Sequence, residues 1–303
     1  MLGIVILNYN SWCETYRCVK SIINTTNISY KIYIVDNFST DQNEEIVKKI
    51  ADIDNCILIF NKKNRGYNGG NNIGIEHALN DECDAILISN PDIIYQQLCI
   101  DLMYTNLIKS NYAIVAPKII DTSGKIQCLH TNRKLRYSDL YLMLTELKRF
   151  SKRLSCYYGV EKDYKDDREI YGASGCSFMI KGKIMKEIYP LDENVFLYYE
   201  EAILAAKLEE LKYKSFYLSS SCVIHEHAVS TSKAKPFSLR EVTKSEIYYF
   251  KKYLKISNLK LYPIIIYRLI TYAIKIRGVN KYFFNIKAFI KEIRNVVRRK
   301  YER

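Results

Sequence analysis

No long uninterrupted apolar run in these 303 residues suits a membrane-crossing segment, and little suits the chain to an oxidising compartment. The opening MLGIVILNYN has no basic region, no long apolar stretch and no small-residue cleavage site. This speaks against a secretory leader and for a cytoplasmic location. No CxxC pair occurs among the nine cysteines, which scatter from Cys13 to Cys222. A disulfide framework or a cysteine metal cluster needs closer or more regular spacing, so these are expected to be small buried hydrophobes in a reducing compartment. There is no internal repeat, no low-complexity linker and no RNA- or DNA-binding motif, and histidine is limited to four residues.

What is present is globular. Hydrophobic residues make up 48% and charged residues 26%, and the length allows one large domain, or one with an appendage. The net charge of +13 is unevenly placed: Arg240–Arg303 holds 17 Lys and Arg against 4 Asp and Glu, while residues 1–239 are balanced. The chain therefore divides at residue 239, and any acidic partner belongs to the segment 240–303.

Short apolar runs alternate with helical patterns in the first half. Leu2–Leu7, Tyr30–Val35, Cys56–Phe60 and Ala85–Ser89 read as buried strands. Between them, a helix capped by Ser11 runs through Cys18 and Ile23, another spans Glu44–Ile50, and Asn71–Leu79 reads as a helix after a glycine-rich loop. Such alternation implies a parallel, Rossmann-like sheet, whose ligands lie beyond the C-terminal strand ends. The polar clusters at Asn8, Asp36, Asn64 and Asn90 all follow strands and should converge on one crevice. Later, Leu129–Asp167 reads as helix and loop facing an acceptor, and Leu191–Leu211 as a helix entered through an acidic corner.

Four constellations could carry chemistry. In Asn90-Pro91-Asp92 a carboxylate at a strand end could bridge a hard cation and diphosphate oxygens, or could be a helix cap in a proline turn. In Asn64–Asn72, three glycines permit close backbone approach, the asparagines offer amide donors and Arg65 offers a fork for phosphate; a plain turn is the alternative. His225 and His227 follow the strand-like Tyr217–Ile224 and read either as metal ligands or as structural. Glu200-Glu201 follows the aromatic run Phe196–Tyr199, which suits a partly desolvated general base or equally a helix start with acids against its dipole.

Together with Val5–Asn10, Val35–Asp41 and Gly172–Gly175, these segments from about Ile4 to Ser232 resemble the family-2 glycosyltransferases, especially a rhamnosyltransferase-like bacterial branch. The resemblance implies the GT-A fold: an α/β, Rossmann-like, mostly parallel sheet flanked by helices, here over 1–239 with a basic helical extension over 240–303. It implies that Asp36, with Asn37 and the strand end Asn8-Tyr9-Asn10, reads the base of a UDP- or dTDP-sugar. Arg65, Gly66, Tyr67, Asn71, Asn72 and Asn90 would complete the donor site, and Asp92 and His225 would hold Mn²⁺ or Mg²⁺. Glu201 falls where the family has its aspartate base, with Glu200 before it, so the chain carries Glu200-Glu201-Ala202-Ile203-Leu204 in place of Glu-Asp-x-Asp-Leu. The expected reaction inverts the anomeric centre and builds surface polysaccharide or lipopolysaccharide on a glycan or lipid-linked acceptor. A nucleotidyltransferase would open with a Gly-rich, Lys/Arg-bearing loop where this chain has Asn8-Tyr9-Asn10-Ser11. An inactive sugar-nucleotide binder and a basic membrane- or nucleic-acid-binding protein are the other readings; nucleic acid is disfavoured by the balanced charge of residues 1–239.

In the basic segment, Tyr282, Ile286, Phe289, Ile290, Ile293, Val296 and Val297 recur at helical spacing, with Lys287, Lys291, Arg294 and Arg298 between them. Leu261–Ile276 is apolar but short, and carries Arg268 and Lys275, so a transmembrane span is not expected. Residues 261–303 read as attachment to an anionic membrane on the inner face of the cell membrane, or as a stripe packed on the first domain with its charges solvated.

Overall fold

The computed structural model describes residues 1–41, 43–127, 130–144, 157, 164–226, 235–275 and 285–299. His227 and Tyr282 lie outside them, as does most of Leu129–Asp167.

The chain begins with β1 (Leu2–Asn8), α1 (Trp12–Thr25), β2 (Tyr30–Asp36), α2 (Glu44–Ala51) and β3 (Cys56–Phe60). There follow α3 (Gly66–Asn80), β4 (Ala85–Ser89), β5 (Ile93–Tyr95), α4 (Cys99–Lys109), β6 (Ile114–Ile120), α5 (Tyr137–Leu144), β7 (Arg168–Ile170) and β8 (Ser177–Lys181). The rest comprises α6 (Gly182–Ile188), α7 (Glu200–Glu210), β9 (Ser215–His225), α8 (Lys235–Lys252), α9 (Asn258–Lys275) and α10 (Asn285–Arg298). The sheet order is β3-β2-β1-β4-β8-β6-β9-β5, with β7 on β9. The four strands β3, β2, β1 and β4 are parallel, as their uninterrupted aliphatic runs predict. Beyond β4 the sheet is mixed: β8 runs antiparallel to β4 and β6, and β9 is parallel to β6.

Helices cover both faces because β1 is apolar on both. Leu2, Ile4 and Ile6 face α1 and α4, whereas Val5 faces Ile75 and Ala78 of α3. A third core joins α7 to the basic segment: Ile203 and Ala206 pack with Tyr248, Phe250, Ile264 and Phe289. The apolar stripe anticipated as a membrane face on α10 is thus largely buried within the protein at Phe289, Ile293 and Val297.

Three local expectations change. Ser11 stands at the N-cap of α1, but its hydroxyl donates back to Tyr9 O at 3.1 Å. The helix expected from Asn71 begins at Gly66, and the one expected from Leu191 begins at Glu200. Asp92 leads into β5, which excludes the helix-cap alternative.

Candidate active site

At the C-terminal ends of β1 and β2, Asn8 and Asp36 are paired by register and buried. Asn8 Nδ2 donates to Asp36 Oδ1 at 2.8 Å, and its own oxygen accepts from Thr15 Oγ1 at 2.9 Å. Ser39 adds its hydroxyl to Asp36 Oδ1 and its N–H to Oδ2 at 3.1 Å. These bonds fix the carboxylate and leave roughly one of its four acceptor positions open. Asn10 ties the same turn, accepting from Thr40 N at 2.7 Å. Asn37 points the other way: its side chain bonds Asn64, Gly66 O, Asn61 and Arg65 N. Tyr9 and Phe38 are exposed at the two strand ends, and Phe38 has φ +71°, a left-handed conformation that is rare for a bulky residue.

The asparagine- and glycine-rich segment does not present a loop of donors. It forms the first turns of α3, and several of its side chains bond within the protein, whereas Asn71 Oδ1 is buried with no hydrogen-bond partner among the described residues. Arg65 holds the Glu193 carboxylate at 3.0 and 3.1 Å, Asn68 donates to Asp192 O at 2.8 Å, and Asn72 exchanges two bonds with the Leu191 backbone at 2.9 and 3.0 Å. Asn71 is buried and donates to Tyr67 O. Gly66 lies at φ +73° with Phe196 O only 2.3 Å from where a Cβ would stand, and Tyr67 N–H donates to that carbonyl at 2.8 Å. Arg65, Gly66, Tyr67 and Asn72 thus fasten the start of α3 to Leu191–Phe196, the stretch of chain that enters α7. The physical reason is packing: a helix this rich in glycine can lie against β1, and buried amides must find partners at hand.

Asp92 and His225 are brought together although 133 positions of sequence separate them. The antiparallel pairing of β5 with β9 sets Ile93 opposite His225, and Glu226 N–H donates to Asp92 O at 2.9 Å. His225 Nε2 lies 3.4 Å from Asp92 Oδ2, and Nδ1 meets Gln127 Oε1 at 3.0 Å. With Nδ1–H donating to that amide oxygen, Nε2 keeps a lone pair 3.4 Å from Asp92 Oδ2. This oxygen and nitrogen set suits a hard or borderline divalent ion. Among the described residues no group of three or more His, Cys, Asp and Glu could hold a metal. Two side chains are enough for an ion that keeps waters and completes its shell with substrate phosphates, so the residues fit Mn²⁺ or Mg²⁺. Asn90 joins the same strand end, its N–H donating to Cys176 O at 2.8 Å.

Glu200 and Glu201 open α7 immediately after Tyr198 and Tyr199, both left-handed at φ +71° and +67°. Glu201 Oε1 accepts the Gly175 N–H at 3.3 Å, and Gly175 O accepts the Tyr67 hydroxyl. Gly175 N–H holds Glu201 while the next residue, Cys176, accepts the Asn90 N–H, so the carboxylate corner and the strand end that leads to Asp92 flank one short stretch of backbone. Glu200 Oε2 is buried without a hydrogen-bond partner among the described residues. Burial pushes Glu200 well above its ordinary range, and the charge of Glu201 pushes it further. Burial raises Glu201 too, offset by its own and the Gly175 backbone N–H. Of the two, Glu201 is the one whose oxygen accepts a backbone N–H from outside its own helix. A cavity of about 10 Å³, roughly one water, lies between this corner, Tyr67 and Lys207.

Sequence reasoning passed over Ser39, Phe38 and Gln127, which immobilise or flank Asp36 and His225. The first two stand in a motif already singled out; nothing in the sequence marks Gln127.

A hexosyltransferase of low-salt glycan biosynthesis, Agl10 from Haloferax volcanii, is 27% identical over 202 residues, 66% of this chain and 59% of the relative, so the match spans under two thirds of that protein. The structure of GalNAc-T7 with UDP, GalNAc and Mn²⁺ superposes with a TM-score of 0.60 at 17% identity, over 82% of this chain and 50% of that one. The mannosyltransferase PcManGT from Pyrobaculum calidifontis, in complex with GDP-Man and Mn²⁺, gives 0.55 at 12% identity, over 98% and 86%. Both share the fold, with its sheet flanked by helices. Residues 3–189, which carry the Asn8–Asp36 turn, the start of α3, Asp92 and Gly175, match the profile of "Glycosyl transferase family 2", and the chain belongs to that family.

Proposed function

We propose that the chain transfers a sugar, with inversion, from a UDP- or dTDP-sugar to a hydroxyl of a glycan or lipid-linked acceptor during surface polysaccharide or lipopolysaccharide assembly. The observation that carries this reading is the Asp92–His225 pair at one strand end together with Glu201 on Gly175 and Asn90 on the adjacent Cys176. The relatives support the class: two solved neighbours hold a nucleotide or nucleotide-sugar with Mn²⁺, and one relative is named a hexosyltransferase. The rhamnosyltransferase-like branch rests on the sequence blocks alone.

In this reading Asp36, fixed by Asn8 and Ser39, takes a polar edge of the donor base, with Tyr9 and Phe38 as exposed ring faces beside it. Asp92 and His225 would hold Mn²⁺ or Mg²⁺, which when bound supplies positive charge to the departing diphosphate. Glu201 accepts the proton of the acceptor hydroxyl; that oxygen bonds to the anomeric carbon as the bond to the diphosphate oxygen breaks. Gly175 N–H holds the carboxylate in place for this. A carboxyl raised by burial is a stronger base than a solvated one. Peripheral attachment to the inner face of the cell membrane through 261–303 would bring the site to a lipid-linked acceptor.

Thermal unfolding with UDP, dTDP and GDP, with and without Mn²⁺, tests the reading on wild type and Asp92→Ala. At 100 times its dissociation constant a ligand stabilises the folded state by about 2.7 kcal/mol. A Mn²⁺-dependent rise with a pyrimidine diphosphate, lost in Asp92→Ala, is expected. No rise with any of the three in wild type, or an undiminished rise in Asp92→Ala, refutes the assignment.

A further inference from the structure

The α9 helix shows water an apolar face. Leu259, Tyr262, Ile266, Tyr267, Ile270 and Ile274 recur at helical spacing and are 80, 51, 55, 42, 53 and 60% exposed. The opposite side, Leu261, Ile264, Ile265 and Tyr272, is buried in the third core. The one charged side chain between Lys260 and Lys275, Arg268, turns inward to Glu246 at 2.7 and 2.9 Å. The result is an apolar ridge roughly 22 Å long at 1.5 Å per residue. A face of this kind on a water-soluble surface marks an interface. No helix among the described residues is long and apolar enough to cross a membrane.

The neighbouring helix indicates the partner. The α10 helix packs on α9 through Phe289 and Tyr272, whose ring centroids lie 4.7 Å apart. Its outward side carries Lys287, Lys291, Arg294 and Arg298, all exposed and none in an ion pair among the described residues. Its acidic residue, Glu292, is turned to Arg240 and Lys244. An apolar ridge beside an uncompensated basic face complements a lipid surface bearing anionic headgroups, with tyrosines suited to the boundary between headgroup and acyl chain. A second copy docked on the ridge would bring a second basic face against the first.

We infer that α9 is the membrane-inserting face of this protein, its ridge Leu259–Ile274 lying in the plane of an anionic bilayer while the basic face of α10 pairs with the headgroups. This deepens the membrane reading given above and rests on it. It moves the insertion from the stripe of α10, which the fold buries, to α9.

The test is flotation of the full chain with vesicles of phosphatidylcholine alone, or mixed in equal parts with phosphatidylglycerol. Wild type floats with the mixed vesicles and is released by raised salt. Ile266→Gln with Ile270→Gln lowers partitioning by about tenfold or more, and Lys287→Gln with Lys291→Gln lowers it on the mixed vesicles. Both positions on the ridge already face solvent, so thermal unfolding of the variant stays near that of wild type. Independently, Ile270→Trp gives an indole emission that shifts to the blue on mixed vesicles, against a background of one buried tryptophan, Trp12. A ridge variant that floats like wild type, or an unshifted indole on vesicles that bind, overturns the inference but leaves membrane attachment standing. A wild type that floats with neither vesicle overturns both. A lipid-free dimer that the ridge variant dissociates, with no flotation, assigns the ridge to a second copy instead.

Discussion

Replacing Arg268 by Met should unfold this protein at a markedly lower temperature, and the size of the loss follows from what Glu246 would have left. The Glu246 side chain is 1% exposed, and its oxygens accept from Arg268 Nε at 2.9 Å, Arg268 Nη2 at 2.7 Å and the Tyr199 hydroxyl at 3.1 Å. Without the guanidinium, a buried carboxylate keeps one neutral donor. Removing one partner of such a pair costs about 3–5 kcal/mol. At a few degrees per kcal/mol for a chain of this size, the melting temperature falls by roughly 6–20 °C. The double variant Glu246→Leu with Arg268→Met removes both charges and refills the space, so it recovers most of the loss. Thermal and urea unfolding of the four proteins form the cycle. A loss below about 1 kcal/mol in Arg268→Met, the range of exposed pairs, or a double variant no better than the single, refutes the claim that α9 is fastened to α8 through this pair. Tyr199 precedes Glu200, so the same cycle, read on turnover, also reports whether the fastening holds the carboxylate corner.

Two further outcomes follow from the site's surroundings. Gly70→Ala places a methyl carbon 2.3 Å from Leu7 Cδ1, against β1 and behind the Asn8–Asp36 turn; urea unfolding is expected to show a loss of about 1–3 kcal/mol, and no loss would mean that α3 can move off the sheet. Glu200 binds its proton more tightly folded than unfolded, so its contribution to stability is complete below the ordinary glutamate value and is lost as pH rises toward the raised one. As pH rises above the ordinary glutamate range, wild type should therefore lose stability relative to Glu200→Gln, and parallel curves for the two proteins would refute the burial of this carboxyl.

The part of the fold that the sequence makes legible is the part whose elements are chosen locally. The aliphatic runs of β1, β2, β3 and β4 are bounded by Asn, Asp and Ser, and these four strands emerge within a residue of where those boundaries fall. The start of α3 is not legible, because glycine and asparagine disfavour helix and favour turns. Packing overrides that preference: Gly70 and Gly74 let the helix touch Leu7 and Val5, closer than any side chain would allow. The α10 periodicity is legible as a helix, but its stripe has the same pattern whether covered by lipid or by α8 and α9. Only the partner helices decide, and they turn the unsatisfied apolar face onto α9.

The site follows the same division. Residue type draws attention to Asp36, Asp92, His225 and the Glu200-Glu201 corner, but each has an ordinary structural use at a strand or helix end. Their grouping depends on register and on distant contacts. Ile93 opposite His225 makes the metal-capable pair, and the bonds from Asn68 and Asn72 to the backbone at Leu191 and Asp192 fix the segment that leads to Glu201. Asp192 closes the circuit. Burial alone would raise its carboxyl, but Tyr248, Tyr253, Lys252 and Asn194 donate to it and together hold it well below the usual range. Its carbonyl is held by α3 and its carboxylate by α8, so one residue ties the donor-side helix to the basic segment. The base proposed at Glu201 needs a rigid frame, since a displacement near 1 Å costs about 100-fold in rate. The frame here is built from both ends of the chain, and α9 and α10 therefore hold the corner that bears Glu201 as well as the face that would meet the lipid.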